Sequence, residues 1–164
     1  MKTALISDTH NLLRPEALAT LQGCDQIIHA GDIGNPDILA QLVKIAPVHA
    51  VRGNNDLNSP WAENLPDLLT FTLNGWPTLL VHDIADVPAD LDPGIRLIIT
   101  GHSHKPRIEW RGDRIYVNPG SAGPRRFKLP VTLAILEIQP HSIEPRLISL
   151  LDPQPETATV PPFF

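Results

Sequence analysis

Two histidines separated by one residue follow a short apolar segment in the sequence LIITGHSHKP, residues 97–106. In an extended backbone, side chains two positions apart point to the same side and lie about 6.5–7 Å apart. His102 and His104 could therefore reach into one pocket, and imidazole is the commonest metal ligand. Two polar loop residues that bind nothing would show the same spacing, so other parts of the sequence have to decide between the two interpretations.

Four other short apolar segments are also followed at once by residues that can bind a metal ion. Apolar runs of this length, bounded by polar residues, predict buried strands. In open α/β sheets, ligands bind outside the carboxyl ends of the strands, so these polar side chains should gather at one edge. The candidate ligands, in chain order, are Asp8, His10, Asp32, Asn54, His82, His102 and His104.

Seven nitrogen and oxygen ligands exceed the needs of one tetrahedral zinc ion. They fit two divalent ions about 3.5–4 Å apart that share one carboxylate. Imidazole mixed with carboxylate suits manganese, iron, cobalt, nickel or zinc, and the sequence does not select among these metals.

The first half of the chain predicts strands that alternate with helices. A helix is expected over residues 14–23, which have proline near the start and glycine at the end. A second is expected over residues 35–46, with Asn35 as N-cap and Pro36 at the first helical position. Strand–helix–strand units of this length predict parallel pairing.

The second half predicts mostly strands, with one weaker helix over residues 84–91. Asn74-Gly75 and Gly112-Asp113 each separate two strand-like runs and predict hairpins. Two further strands are expected within residues 130–139 and 145–151. The expected fold is α/β, with two mixed β-sheets packed as a sandwich and flanked by helices. A single domain is expected over residues 1–152, followed by a proline-rich tail over residues 153–164.

Composition limits the classes of partner. The net charge of −5 gives no overall attraction to nucleic acid or to an anionic membrane, and the three tryptophans show no stacking pattern for nucleic acid. An anionic substrate would need a local positive centre, which bound metal can supply. Cys24 is the only cysteine, which excludes a disulfide within the chain and a cysteine-based zinc site. No apolar run approaches the length of a membrane span and none resembles a signal peptide, so a cytoplasmic location is expected.

The motifs SDTH, GD, GNND, VHD and GHSH, each after a predicted strand, resemble in this order the motifs of the calcineurin-like metallophosphoesterase superfamily. The later VNPGS and the short chain resemble the small YfcE-like phosphodiesterase branch of that superfamily. The resemblance covers residues 5 to about 138. It implies a four-layer α/β/β/α arrangement and a small phosphodiester as substrate.

The resemblance also implies a role for each candidate ligand. It assigns Asp8, His10 and His104 to a first metal ion, Asn54, His82 and His102 to a second, and Asp32 to a position between them. Two divalent ions per chain are expected, with Mn²⁺ first and Ni²⁺, Co²⁺, Fe²⁺, Zn²⁺ or Mg²⁺ as alternatives. The hypothesis for the reaction is in-line attack on phosphorus by a hydroxide held between the two ions.

The sequence departs from the superfamily pattern at Asn55, where many members have a histidine that assists the leaving group. An amide can donate a hydrogen bond but cannot act as an acid. Since general acid catalysis contributes about 10²–10⁴-fold, its loss favours phosphodiesters over alkyl phosphomonoesters. Asp32, Asn54 and Asn55 are therefore the catalytic candidates, and Asp56 is expected to support the loop that carries Asn54.

Three further residues leave alternatives open. Asp83 stands where relatives often have glycine, and could be a proton donor, a partner of a metal ligand or a solvated loop carboxylate. Arg125, in the loop at residues 118–128, could hold a substrate phosphate or belong to an ordinary turn with a solvated basic pair. His29 could orient a ligand, although a core histidine is the favoured interpretation.

The sequence leaves two other functions open. One is a phosphomonoesterase, and the other is a metal-binding but non-catalytic interaction scaffold on the same fold. Metallo-β-lactamase-like enzymes need H-x-H-x-D-H, and GHSHKP lacks the trailing Asp-His. Amidohydrolases place H-x-H at the first strand, where this chain has Asp8-Thr9-His10. Both of these metallohydrolase classes are disfavoured.

Overall fold

The structure is a computed structural model that describes residues 1–151, so the predicted tail at residues 153–164 lies outside the described residues. Within them the chain forms two α-helices, α1 (Pro15–Leu21) and α2 (Pro36–Val43). The strands are β1 (Lys2–Ile6), β2 (Gln26–His29), β3 (Val48–Ala50), β4 (Leu68–Leu73), β5 (Trp76–Val81), β6 (Leu97–Ile99), β7 (Arg107–Arg111), β8 (Arg114–Asn118), β9 (Thr132–Gln139) and β10 (Ser142–Ser149).

The first sheet has the strand order β10-β9-β1-β2-β3. Strands β1, β2 and β3 are parallel, with Leu5 opposite Ile28 and Ile28 opposite His49. The helices α1 and α2 supply the two crossovers, which confirms the predicted parallel units. Strands β9 and β10 add an antiparallel hairpin beside β1.

The second sheet has the strand order β4-β5-β6-β8-β7 and is also mixed. Both predicted hairpins are confirmed, because β4 pairs antiparallel with β5 across Asn74-Gly75 and β7 with β8 across Gly112-Asp113. Strands β5, β6 and β8 run parallel at its centre. In both sheets the strands that precede the metal-binding motifs are therefore parallel to one another.

Asn35 caps α2 as predicted, because its side-chain oxygen accepts hydrogen bonds from the backbone N–H groups of Asp37 and Ile38. The two helices cover the outer face of the first sheet, where Leu21 of α1 and Leu42 of α2 belong to one buried apolar cluster with strand residues. Each helix ends two or three residues before its predicted end.

The inner faces of the two sheets pack against each other. Leu5 and Ile28 of the first sheet belong to one buried cluster with Leu80, Ile99 and Val117 of the second. The predicted fold class, two mixed sheets in an α/β sandwich, is confirmed.

The outer face of the second sheet differs from the expected α-helical fourth layer. Val87 and Leu91, which lie in a loop between β5 and β6, cover Leu79 and Ile98 there. The helix predicted over residues 84–91 is wrong, since only a 3-10 turn forms at Ile84–Asp86. Pro88 has no N–H to donate and its ring clashes with the preceding turn, so a helix cannot continue through it.

No helix in residues 1–151 has the length and apolar character needed to cross a membrane.

Candidate metal centre

The seven predicted ligands lie together where the carboxyl ends of the two sheets meet. Asp8, Asp32 and Asn54 follow β1, β2 and β3 of the first sheet. His82 and His102 follow β5 and β6 of the second sheet. Strand geometry therefore gathers side chains that are up to 96 residues apart in the sequence.

The ligand atoms form two groups. In the first, Asp8 Oδ1 lies 3.4 Å from His104 Nε2 and 3.7 Å from His10 Nε2. In the second, His82 Nε2 lies 3.3 Å from Asp32 Oδ2. His102 belongs to this second group, and each group offers three ligand atoms within 4.8 Å of one another. Each group draws side chains from both sheets.

Asp32 lies between the two groups. Its Oδ2 is 3.3 Å from His82 Nε2 in the second group and 3.6 Å from His10 Nε2 in the first. One carboxylate oxygen thus faces an imidazole nitrogen from each group, which is the position that the sequence pattern requires of a shared ligand.

Asn54 adds an amide oxygen to the second group. Its Oδ1 lies 3.1 Å from His82 Nε2 and 3.2 Å from His102 Nδ1. The second group therefore contains one carboxylate, one amide and two imidazoles, all with ligand atoms aimed at a common space.

Asp8 shows that the first group fits a cation. Its Oδ2 accepts hydrogen bonds from Ser7 Oγ at 2.7 Å and from the backbone N–H of His102 at 3.1 Å. Its Oδ1 is buried and has no hydrogen-bond partner among the described residues. An unpaired buried carboxylate oxygen is costly, and a cation in contact with that oxygen removes the cost.

The tautomer of His82 supports the same conclusion for the second group. Its Nδ1 lies 2.7 Å from the carbonyl oxygen of Ala30, which can only accept, so Nδ1 carries the hydrogen. The Nε2 lone pair then faces oxygens of Asp32 and Asn54. A backbone carbonyl that fixes the outer nitrogen is the usual arrangement of a metal-binding histidine.

The charges of the site follow from its neighbours. Burial alone would raise the pKa of Asp8, but His10, His104 and His82 hold that pKa well below its usual range. Burial also opposes ionisation of Asp32, yet His82 and the Asn55 N–H lower its pKa. Both carboxylates are therefore ionised at neutral pH and give the site two negative charges for cations.

Most of the ligand residues have a left-handed backbone. The residues with positive φ are Asp8 at 55°, His10 at 43°, Asp32 at 55°, His102 at 70° and His104 at 61°. Asparagine, aspartate and histidine are the non-glycine residues most often found in this region. Sharp turns directly after the strands direct these side chains toward the two groups, at a cost in backbone strain.

The motif glycines make room for the ligands. A Cβ on Gly31 would lie 2.7 Å from His82 Nδ1 and 2.8 Å from the Gly53 nitrogen. A Cβ on Gly101 would meet Ser7 Oγ and would lie 2.9 Å from Asp8 Oδ2. Only glycine fits where the strand ends of the two sheets come this close.

Asn55 and Asp56 both act on the ligand loops. Asn55 donates from its side-chain nitrogen to Asp32 Oδ2 at 3.1 Å and from its backbone N–H to Asp32 Oδ1 at 2.9 Å. Asp56 is fully buried and accepts hydrogen bonds from the backbone N–H groups of Ile33, Gly34 and Gly53. The expected support of the Asn54 loop by Asp56 agrees with these contacts.

Asp83 and Arg125 differ in their relation to the site. Asp83 Oδ2 lies 3.5 Å from His102 Nε2, which makes this carboxylate a neighbour of a candidate ligand. Arg125 is exposed and donates to the carbonyl oxygen of Leu129 within its own loop. The described contacts of Arg125 do not reach the two ligand groups, and a role for it in holding a substrate phosphate stays a prediction.

His29 supports the loops that carry two ligand residues, a role that the sequence had not favoured for it. It is fully buried, its Nδ1 accepts from the Gly31 N–H at 3.1 Å, and its Nε2 lies 3.0 Å from Thr9 Oγ1. Thr9 in turn donates to the carbonyl oxygen of Ile33. The imidazole thus joins the loop of Asp8 to the loop of Asp32, and its position three residues before Asp32 was the available signal.

Asn118 is a second residue that sequence reasoning missed. It donates to the Gly101 carbonyl oxygen at 2.9 Å and to Ser103 Oγ at 3.1 Å, which fixes the turn that carries His102 and His104. Its position in VNPGS was noted, but no rule of spacing assigns a contact to it.

Two cavities adjoin the ligand groups. One has a volume of about 210 Å³ and is lined by Lys105, Arg107 and Tyr116 together with His102 and Asp83. We call it the basic cavity. The other has a volume of about 410 Å³ and is lined by Arg52, Asp67 and Asp86 together with the ligands Asn54, His82 and His102 and with Asp83. We call it the acidic cavity.

Comparisons with known proteins agree on the type of domain. Residues 1–141 match the Calcineurin-like phosphoesterase superfamily domain. A probable metallophosphoesterase of Methanothermobacter thermautotrophicus is 31% identical over 161 residues, which cover 90% of this chain and 92% of that protein.

Solved structures share the fold at lower identity. A single-site variant of Vps29 from Entamoeba histolytica superimposes with a TM-score of 0.76 at 22% identity, covering 93% of this chain and 94% of that one. An archaeal phosphodiesterase superimposes with a TM-score of 0.72 at 21% identity, covering 90% of this chain and all of that one. At these identities the two structures bear on the fold alone.

Proposed function

The chain belongs to the calcineurin-like phosphoesterase superfamily, a metal-dependent family, and from that premise we propose that it hydrolyses phosphodiesters with two divalent metal ions. The observation that carries the proposal is the position of Asp32, whose Oδ2 faces one imidazole from each ligand group. A carboxylate in this position suits two adjacent cations, because one of its oxygens lies close to both ligand groups.

In this proposal Asp8, His10 and His104 would hold the first ion, Asn54, His82 and His102 would hold the second, and Asp32 would contribute to both. When bound, the ions supply Lewis-acid charge and lower the pKa of a water molecule to about 7. Asp8 and Asp32 remove two of the four positive charges, so the centre stays net positive and attracts an anionic phosphate ester.

The reaction is hydrolysis and needs no further reactant. The oxygen of water bonds to phosphorus, one P–O ester bond breaks, and the departing alcohol takes up the proton that water loses. The products are a phosphomonoester and an alcohol. The chain's own contribution is position, because Ser7, His29, Asn55 and Asp56 fix the loops that carry the ligands.

Asn55 supports diesters over alkyl monoesters as substrates. Its amide donates to Asp32 and has no acidic proton for a leaving group. A diester with a good leaving group depends least on an acid at this position.

Mn²⁺ is the metal that we propose first. Imidazole and carboxylate ligands also suit Ni²⁺, Co²⁺, Fe²⁺ or Zn²⁺, and Mg²⁺ is a further alternative. The cytoplasmic location stays a prediction from the sequence.

The test is to strip the protein with a chelator and restore each metal separately. Hydrolysis of bis(4-nitrophenyl) phosphate is then measured beside that of 4-nitrophenyl phosphate, and bound metal is counted by elemental analysis. We expect two ions per chain and metal-dependent turnover that favours the diester. Loss of an outer partner of a metal ligand alone costs about 10–100-fold, so Asp32→Ala and His104→Ala should each lower turnover by about 100-fold or more.

His141→Ala is the matched control. His141 is exposed in the β9–β10 hairpin turn, at the end of the first sheet opposite the site, and should change neither metal content nor turnover. Thermal unfolding of all three variants shows whether they fold.

Two other outcomes would replace the proposal. Faster turnover of the monoester would mean a phosphomonoesterase. Two bound ions with no turnover of either ester would favour the non-catalytic scaffold.

A further inference from the structure

The two cavities beside the ligand groups share a wall made by His102 and Asp83. His102 is a ligand candidate of the second group, so both cavities adjoin the place where a phosphoryl group would sit. A phosphodiester has two ester arms, and the two cavities provide one space for each arm.

The basic cavity has a surplus of cations away from that wall. Glu109 is shared by two arginines, with its Oε2 2.7 Å from Arg107 Nη2 and 3.0 Å from Arg111 Nη2. Lys105 has no ion pair among residues 1–151. Away from the shared wall, the lining thus carries two cations, Lys105 and Arg107, and one carboxylate, Glu109, which Arg111 also contacts from outside the lining. The surplus positive charge of this part of the lining is that of Lys105.

The acidic cavity has the opposite balance. Within residues 1–151, Arg52 is the one Lys or Arg in its lining, and it is paired with Asp67, with 3.2 Å between Arg52 Nη2 and Asp67 Oδ2. Away from the shared wall, Asp86 then remains in its lining as a carboxylate with no cation to balance it among the described residues, while Asp83 faces both cavities. An anionic arm would be repelled there and attracted on the other side of His102.

The cavities also differ in size. About 210 Å³ lies below the roughly 300 Å³ at which ordinary small-molecule pockets begin, whereas about 410 Å³ lies within their range. The basic cavity therefore suits a short arm and the acidic cavity a larger one.

We propose that the substrate is an asymmetric phosphodiester whose short ester arm ends in a second anionic group, a carboxylate or a phosphate, bound by Lys105 and Arg107 in the basic cavity. The larger, uncharged arm occupies the acidic cavity. This inference rests on the proposed function and adds to it the charge and shape of the substrate.

The test compares two diesters of equal length, 4-nitrophenyl 3-carboxypropyl phosphate and 4-nitrophenyl butyl phosphate, on the metal-loaded protein. We expect kcat/KM to be about tenfold higher for the carboxylate, mainly through KM, since a charge-assisted hydrogen bond favours it. The double variant Lys105→Gln, Arg107→Gln should bring the ratio of the two values close to one.

Lys44→Gln is the matched control, because Lys44 is an exposed lysine at the end of α2, on the helical side of the first sheet. It should leave the ratio at about ten. A ratio near one in the unmodified protein, or a preference that survives the double variant, would overturn the inference while the proposed function stands.

Absence of turnover of both diesters would count against the proposed function instead. Calorimetric titration with the same two diesters then decides the inference, which requires tighter binding of the carboxylate and loss of that difference in the double variant. Equal affinity of the two diesters would overturn it.

Discussion

Individual side chains around the ligand groups have two kinds of role, contact with metal and support of the loops. The residues proposed for contact were found from the sequence because each set follows a short apolar strand, and the carboxyl ends of parallel strands meet at one edge. The supporting contacts of His29 and Asn118 could not be predicted in the same way. They depend on the distance between loops from different strands, which no local pattern encodes.

His29 makes the free energy of unfolding depend on pH. Burial lowers the pKa of His29 to about 4, from about 6.5 in an unfolded chain. Between these values the unfolded chain binds a proton that the folded chain does not. The free energy of unfolding therefore decreases as the pH falls from about 6.5 to about 4, by up to about 3 kcal/mol.

Urea unfolding of the metal-free protein at pH 7, 6, 5 and 4 checks this, with His29→Asn measured beside it. The variant does not titrate at this position, so its free energy of unfolding should fall about 3 kcal/mol less over the same range. Its stability at pH 7 should be lower by about 1–3 kcal/mol, because the hydrogen bond to Thr9 is lost. Parallel curves for the two proteins would contradict the assignment.

Strands and turns were predictable where their signals are local. Asn74-Gly75 predicted a hairpin because a tight turn between strands needs residues that tolerate positive φ, and both residues have it. The helix predicted over residues 84–91 does not form, because Pro88 ends the turn that begins at Ile84. Val87 and Leu91 do pack against the second sheet, but from a loop.

Close contact between strand ends predicts the effect of Gly101→Ala. The added methyl group would meet Ser7 Oγ and Asp8 Oδ2, so the turn that carries His102 and His104 must shift. A displacement of about 1 Å can cost about 100-fold in rate, and we expect a loss of that order in diester hydrolysis.

Gly112→Ala is the matched control for this prediction. Gly112 also lies in a turn, with φ of 64°, and nothing lies within 4 Å of its added Cβ. It should lose about 1 kcal/mol in the free energy of unfolding from backbone strain and retain its turnover. Equal turnover in the two variants would contradict the steric explanation.

The molecule as a whole brings its two sheets together at the ligand groups. The first group combines Asp8 and His10, which follow β1, with His104, which follows β6. The sequence predicted this gathering from the common edge of parallel strands. The sequence also predicted that the two sheets pack as a sandwich, but the meeting of their two carboxyl edges became visible only in the three-dimensional structure.

Metal binding should therefore stabilise the whole fold. A ligand at 100 times its Kd adds about 2.7 kcal/mol to the free energy of unfolding, which corresponds to a rise in Tm of roughly 5–11 °C for a chain of this size. Thermal unfolding with and without Mn²⁺ measures it. His104→Ala should show a smaller rise and His141→Ala the full rise, and no rise with any divalent metal would contradict the shared site.

The left-handed backbone at five ligand residues has a consequence for how such a site is inherited. At those positions glycine, and often asparagine, relieves strain that aspartate and histidine must bear. In the metal-free fold, such a replacement relieves backbone strain, so it is metal binding and the reaction that favour keeping the ligands. Once selection for these ends, neutral drift can remove the ligands one by one and leave the two-sheet architecture intact for another use.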